Sequence, residues 1–306
     1  MAKPSHRLSR YDLTREVYLW DPAAVESAIR SIMDRVFGEN YDSELLKRGI
    51  EAIVRAYRGR YPGILRCDTF YHDLRHALET GLTMARLLEA NANSSQPGSV
   101  DHIDGDHALL GVLLALFHDI GLLRGETEAH LWGASLTPIH EERGVDFMSR
   151  FLAGTTLAPL AEKSELIMPT KLIFKMPESW NPLERKLASL LASADLLSQL
   201  TDRFYIEKCW HFLFLEYSSF GLAGKPESVY PDRETLLAKT PDFYHKLVMP
   251  RLAHEFGGVD RLFDSYFANG NLYQKALQRN LNYLGHILET QDYSCMKRRP
   301  RPFIDK

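Results

Sequence analysis

Five residues of this chain have types and spacings that suit a buried cation. His72 and His76 stand four apart in "TFYHDLRHALET" (residues 69–80), His118 and Asp119 are adjacent in "LLALFHDIGLL" (113–123), and Asp195 lies inside "KLASLLASADLLSQL" (186–200). On a helix, positions i and i+4 share a face, so His72 and His76 would aim at one point, as two ligands or as a ligand and a proton donor. The same spacing also arises on an amphipathic helix whose histidines are merely half exposed. The His118-Asp119 pair is more telling, because the helix before it is almost wholly apolar. A carboxylate buried there without a partner would be costly, and a divalent metal accepts imidazole and carboxylate together. If the helix instead ended at Phe117 and left the pair in water, the apolar "IGLL" that follows would be hard to place. Asp195 shares a helical face with Ala188, Leu191, Gln199 and Asp202. A carboxylate in that stripe calls for a positive partner, either a metal or an arginine.

The elements that must hold these residues read as helices. "DPAAVESAIRSIMDRVFG" (21–38) opens on an Asp-Pro cap, and "DSELLKRGIEAIVRAYRG" (42–59) stops at Gly59. Both, like "HDLRHALETGLTMARLLEAN" (72–91), carry apolar residues at three- and four-residue intervals. "HALLGVLLALFHDIGLL" (107–123) is apolar almost all round and predicts a central buried helix. Between these two, "ANSSQPGSVDHIDGD" (92–106) predicts a surface loop, and "RGETEAHLWGASLTP" (124–138) an irregular connection. "IHEERGVDFMSRFLAG" (139–154) is helical, and "PLAEKSELIMPTKLIFK" (159–175) helical in part. Residues 181–221 form one long helix or two, and 232–257 and 270–291 form more. No strand alternation and no internal repeat is present. The expectation is an all-α protein of one domain over 1–306, its metal-binding core at about 68–205 and flanking helices at 1–67 and 206–306.

Composition narrows the function. With 306 residues, 45% hydrophobic and 25% charged, the chain can bury a sizeable core. A formal net charge of −3 argues against a nucleic-acid polymer or an anionic membrane as partner. The basic "KRRPRP" (297–302) predicts a solvated tail. Three scattered cysteines, Cys67, Cys209 and Cys295, exclude a disulfide framework and a thiolate zinc site. The first twenty residues lack a secretory h-region, and the longest apolar run, 108–117, is far short of a bilayer span. A soluble cytoplasmic protein is expected.

Taken in order, "H…HD…D" resembles the metal-binding signature of the HD-domain phosphohydrolase superfamily, and "YHDLRHA" resembles the YHNxxHA motif of its cyclic-nucleotide phosphodiesterase branch. The resemblance covers roughly residues 70–202. It implies that His76, His118, Asp119 and Asp195 are ligands of a divalent metal, with Asp119 reaching a second metal and taking part in catalysis. It implies that His72 protonates the leaving oxygen and that Tyr71 matches the tyrosine before it in that branch. It implies one or two ions of iron, manganese, zinc, nickel or magnesium, and hydrolysis of a small-molecule phosphoester, a nucleotide or cyclic nucleotide foremost. Two positions depart from the branch. Asp73 stands for asparagine, and Leu122 stands where a histidine usually follows four residues after the HD pair. His140, in "TPIHEERG", is the candidate second-metal ligand in its place, ahead of His130 and His107, with Glu141 and Glu142 nearby. Arg75, Lys171 and Arg203 are candidate phosphate contacts. Gln199 either steadies Asp195 or touches a phosphate, and Gln274, Gln278 and Gln291 are candidate base readers. The aromatic-rich "RFYIEKCWHFLFLEYSSF" (203–220) lines a pocket or, as is commoner at helical spacing, packs as core. Two other activities fit the superfamily, a di-iron oxygenase and a non-catalytic domain that binds a metal or nucleotide.

Overall fold

The structure, a computed structural model, describes residues 10–94 and 99–303. Part of the loop expected at 92–106, and the first nine residues of the N-terminal segment, lie outside the described residues. Among the described residues the chain is all-helical, with isolated bridges such as Tyr11–Tyr18 and no strand.

Short polar side chains start the helices where the sequence places them. Asp21 accepts from the Ala23 amide to open α1 (Pro22–Phe37), with proline in the first turn, where a missing N–H costs nothing. Asp42 accepts from Leu45 to open α2 (Ser43–Tyr57). Asp104 accepts from His107 to open α4 (Gly105–Phe117). Asn181 and Glu184 form a reciprocal capping box at the start of α6 (Pro182–Thr201). Between α4 and α6 lie short 3₁₀ pieces, α5 (His140–Ala153) and a 3₁₀ run, Ala158–Thr170.

The third helix departs from expectation. It is α3 (Leu74–Ser94), and it begins two residues after His72. Asp73 is its cap: one carboxylate oxygen accepts the His76 amide at 3.1 Å, and the Asp73 carbonyl accepts that of Ala77. An aspartate caps as an asparagine would, which accounts for the departure from the motif at this position. His72 therefore lies in the bend before the helix, off the helical face it was expected to share with His76.

Helix α3 is the spine of the fold. All its residues from Leu74 to Asn91 are buried, against α1, α4 and α6. The predicted central helix, α4, is buried as well. The segment Gly105–Leu122, α4 with the turn after it, is apolar enough to cross a membrane by composition, yet 89% of it is inside the fold. One cluster of buried apolar side chains runs from Leu19 to Ile287.

The 181–221 stretch is two helices. Asp202 leaves helical geometry (φ −55°, ψ 128°) and ends α6. α7 then covers residues 205–219, as Tyr205–Lys208, a π turn at Cys209–Leu213, and Phe214–Ser219. α8 covers 233–255 and contains two further π turns, and α9 is Leu272–Thr290. The basic tail is not simply solvated. Arg298 donates to the Arg203 carbonyl at 2.6 Å and lies 4.4 Å from the Tyr283 ring centre. The Phe303 amide donates to the second oxygen of Asp73 at 2.9 Å, and its ring stacks on Trp20.

Candidate metal centre

Three helices bring the predicted ligands together. His76 sits in the first turn of α3, His118 and Asp119 directly follow α4, and Asp195 projects from the middle of α6. Helix α4 does end at Phe117, but the next two residues are not in water: His118 is 1% exposed and Asp119 3%. The 3₁₀ turn Ile120–Leu122 continues inward and keeps them covered.

Four atoms converge. His76 Nε2 lies 3.2 Å from His118 Nε2, 3.2 Å from Asp195 Oδ1 and 3.5 Å from Asp119 Oδ2. His118 Nε2 lies 3.2 Å from Asp119 Oδ2 and 3.4 Å from Asp195 Oδ1. Nitrogen and oxygen ligands about 2.0–2.2 Å from one ion stand roughly 2.8–3.6 Å apart, the range seen here. The buried His76, His118 and Asp195 could hold a metal ion.

Hydrogen bonding on the far side of each ring favours that use. His118 Nδ1 is 2.8 Å from the Ala115 carbonyl, which only accepts, so Nδ1 carries the proton. Nε2 is then the nitrogen that faces the two carboxylates. His140 behaves alike, with Nδ1 2.6 Å from the Thr137 carbonyl and Nε2 3.3 Å from Asp119 Oδ1. The carboxylates need positive charge among them, which a proton on the facing imidazole or a metal ion at Nε2 supplies. Asp119 Oδ2 itself is buried with no hydrogen-bond partner. The residues present thus fit a metal.

Charge on the ring nitrogens follows the same logic. Burial opposes a charge on His118, but Asp119 and Asp195 outweigh it and hold its pKa well above the usual imidazole range. Burial would raise both carboxyls, but the facing imidazoles, His118 foremost, keep Asp119 and Asp195 well below the ordinary range. His76 is pushed down, chiefly by burial.

Asp119 faces two ways: Oδ2 toward His76 and His118, Oδ1 toward His140. His140 starts α5, and its place beside Asp119 depends on Gly121. A methyl group at Gly121 would lie 2.0 Å from the His140 carbonyl oxygen. Arg143 ties the same crossing, donating to the Gly121 carbonyl at 2.8 Å. His107 is bonded to Asp104 at the opposite end of α4, and His130 is exposed, so neither joins the cluster.

His72 stands beside the cluster, its ring centre 6.1 Å from that of His76. Its partner is Glu216 on α7, whose Oε2 lies 2.7 Å from His72 Nδ1. Oε1 of Glu216 accepts the amides of Phe70 and Tyr71, both at 2.7 Å. Burial works against a charged His72, yet Asp119 and Glu216 raise its pKa to about 9. Glu216 lies far along the chain from His72 and was not foreseen; the one sign was a single acid in the apolar run "LFLEYSSF".

Gln199 steadies Asp195. Its amide nitrogen donates to Asp195 Oδ1 at 2.6 Å, and its oxygen accepts from the Tyr71 hydroxyl at 3.3 Å. Arg75 is not at the site's surface: it binds Asp202 at 2.6 Å and Glu79 at 3.2 Å inside the fold, which removes it as a phosphate contact. Arg203 is exposed, while Lys171 reaches the cavity but is paired with Glu142 at 2.6 Å. Gln274, Gln278 and Gln291 do not line the cavity.

That cavity, about 430 Å³, opens from the cluster. Tyr71, His72, Asp119, His140, Asp195 and Gln199 form one end. Tyr205, Cys209, Leu213 and Tyr217, at four-residue spacing along α7, are further wall, and this stripe of the aromatic-rich stretch is also part of the buried core or packed on it. Burial pushes the Cys209 thiol up to about 12, which leaves it inert as a nucleophile.

Residues 126–277, just under half of the chain, match a family model described as Npun_R2479-like. The matched part holds His140, Asp195, Gln199, Glu216 and α7, and begins after His72, His76, His118 and Asp119. No curated protein and no solved structure matches the chain.

Proposed function

We propose that this protein is a metal-dependent phosphohydrolase of the HD-domain type, which cleaves a small-molecule phosphoester with water. The observation that carries the proposal is the convergence of His76 and His118, Nε2 atoms 3.2 Å apart, with Asp119 and Asp195 oxygens 3.2–3.5 Å from each of them, beside an imidazole backed by its own carboxylate. Iron, manganese, zinc, nickel and magnesium all accept donors of this kind. His140 with Asp119 Oδ1 would serve a second ion. A bound divalent metal would acidify a water and polarise a phosphoryl oxygen.

The chain's own groups divide the remaining work. Hydrolysis joins a water oxygen to phosphorus, breaks the ester P–O bond and puts a proton on the departing alcohol oxygen. His72 is the donor of that proton. Its Nδ1 is held by Glu216, which leaves Nε2 as the nitrogen that gives it up, and a pKa of about 9 keeps the ring charged at neutral pH. Gln199 and Tyr71 fix the carboxylate of Asp195 in one orientation. The cavity beside the cluster supplies space for the ester and a wall that sheds water.

The test is elemental analysis of the purified protein together with phosphate release from a panel of phosphoesters, wild type beside Asp119→Ala. The expected result is about one or two equivalents of metal and turnover in the wild type, both lost in the variant. An active, metal-free Asp119→Ala would overturn the proposal. Iron with oxygen uptake and no phosphate release would move the site to oxygenase chemistry.

A further inference from the structure

Apart from the polar groups of the metal cluster and their neighbours, the cavity is strongly apolar in its lining and poor in cations. Leu196, Leu200, Leu213, Leu222, Leu236 and Phe243 line it, besides the aromatic rings on α7. Two lysines reach it and no arginine does. Both lysines have partners: Lys171 has Glu142, with Glu141 3.7 Å away, and Lys239 donates to the Val229 carbonyl at 2.9 Å and stands over the Tyr230 ring. Glu141, also in the lining, brings a third carboxylate to the same space as Asp119 and Asp195. Three carboxylates against two engaged lysines is a poor reception for a chain of phosphates, which proteins hold with forked arginines, free lysines or exposed amides. A nucleobase fares no better. The one amide side chain in the lining, Gln199, is committed to Asp195 and Tyr71.

The mouth has the same character. Ile173 is 90% exposed and Leu172 37%, side by side at the rim. The wall of α7 contains the π turn Cys209–Leu213, an irregularity frequent at functional sites because it re-aims side chains. From these features we infer that the substrate is a monophosphoester of an uncharged, largely apolar alcohol, aryl or alkyl, with its body in the apolar chamber and its single phosphoryl group at the metal cluster. This rests on the phosphohydrolase reading and narrows it away from nucleotides. The chamber lies within the size range of small-molecule pockets, roughly 300–1,000 Å³.

Calorimetry on the metal-loaded full chain tests it without turnover, using the non-hydrolysable 1-naphthylmethylphosphonate against methylphosphonate and AMP. The naphthyl compound should bind roughly 100-fold tighter than methylphosphonate, the effect of burying one aromatic body. AMP should bind no better than methylphosphonate. Leu213→Asp in the wall and Ile173→Asp at the rim should each weaken the naphthyl phosphonate by roughly tenfold or more with the metal retained. The rim residue is exposed, so that variant folds even if the wall variant does not. AMP binding as tightly as the naphthyl phosphonate would overturn the substrate class and leave the hydrolase standing. Neutral 1-naphthylmethanol binding as well as the phosphonate would overturn the phosphoryl half, and with it the parent reading, leaving only an apolar chamber.

Discussion

Helices α3 and α6 carry two buried charge clusters side by side, and they are built on opposite principles. In one, Arg75 and Glu79 of α3 meet Asp202 at the end of α6 and Lys208 of α7. Asp202 lies 2.6 Å from Arg75 and 2.9 Å from Lys208. Two cations and two carboxylates cancel within the chain. In the other, His76 of α3 meets Asp195 of α6 with His118 and Asp119, and the two carboxylates are faced by imidazoles, with no arginine or lysine paired to them. A structural ion network closes on itself, whereas a binding site is left open by one ion's worth of charge. The arginine considered as a partner for Asp195 does exist, but one residue before His76, and it serves Asp202.

The widest separation between the two clusters should come from removing a carboxylate in each. Asp195→Ala should strip the metal and abolish turnover while leaving the chain folded. Asp202→Ala should retain the site chemistry but lower unfolding stability by about 3–5 kcal/mol, because Arg75 and Lys208 stay buried without their partner. Denaturant melts of both variants beside metal analysis check this. Equal destabilisation would remove the distinction. Within the open cluster, His72→Ala should keep its metal and slow turnover by roughly 10²–10⁴, most for poor leaving groups. Undiminished turnover would end its role as acid. Gly121→Ala should displace His140 from Asp119. Thermal and metal titrations would show a weaker second equivalent, with the first retained. The smallest effect is a shift in a pH profile. His72 acts charged, so activity falls as pH rises through its pKa, about 9. Glu216→Gln removes one of the negative charges that raise that pKa, so the alkaline limb should move to lower pH. An unmoved limb would detach the pair from catalysis.

The comparison also explains what could be read in advance. The clustered positions were legible because each is a polar residue in an apolar helical context: His118-Asp119 after ten apolar or small residues, Asp195 within leucine and alanine. The start of α3 was legible too and was misjudged. Asp73 is a strong cap residue, and a helix capped by it starts after His72 and leaves the imidazole free to face Glu216. Glu216 itself pairs with the 70–72 segment through contacts that no local pattern encodes. The apolar chamber was hidden for the opposite reason. Tyr205, Cys209, Leu213 and Tyr217 have core spacing, and they serve the core and the cavity wall at once, which spacing does not separate.

Asp73 holds α3 from both sides: one oxygen secures the amide of the ligand His76, the other secures the backbone of Phe303. Were a metal bound at His76, its occupancy and the docking of this distant segment would be coupled through Asp73, and such coupling is reciprocal. Whatever tightens one tightens the other by the same factor. A protease that clips the basic stretch around Arg299 and Arg301 would report on the state of the metal cluster, cutting slowly when the ion is held and faster when a chelator has taken it away.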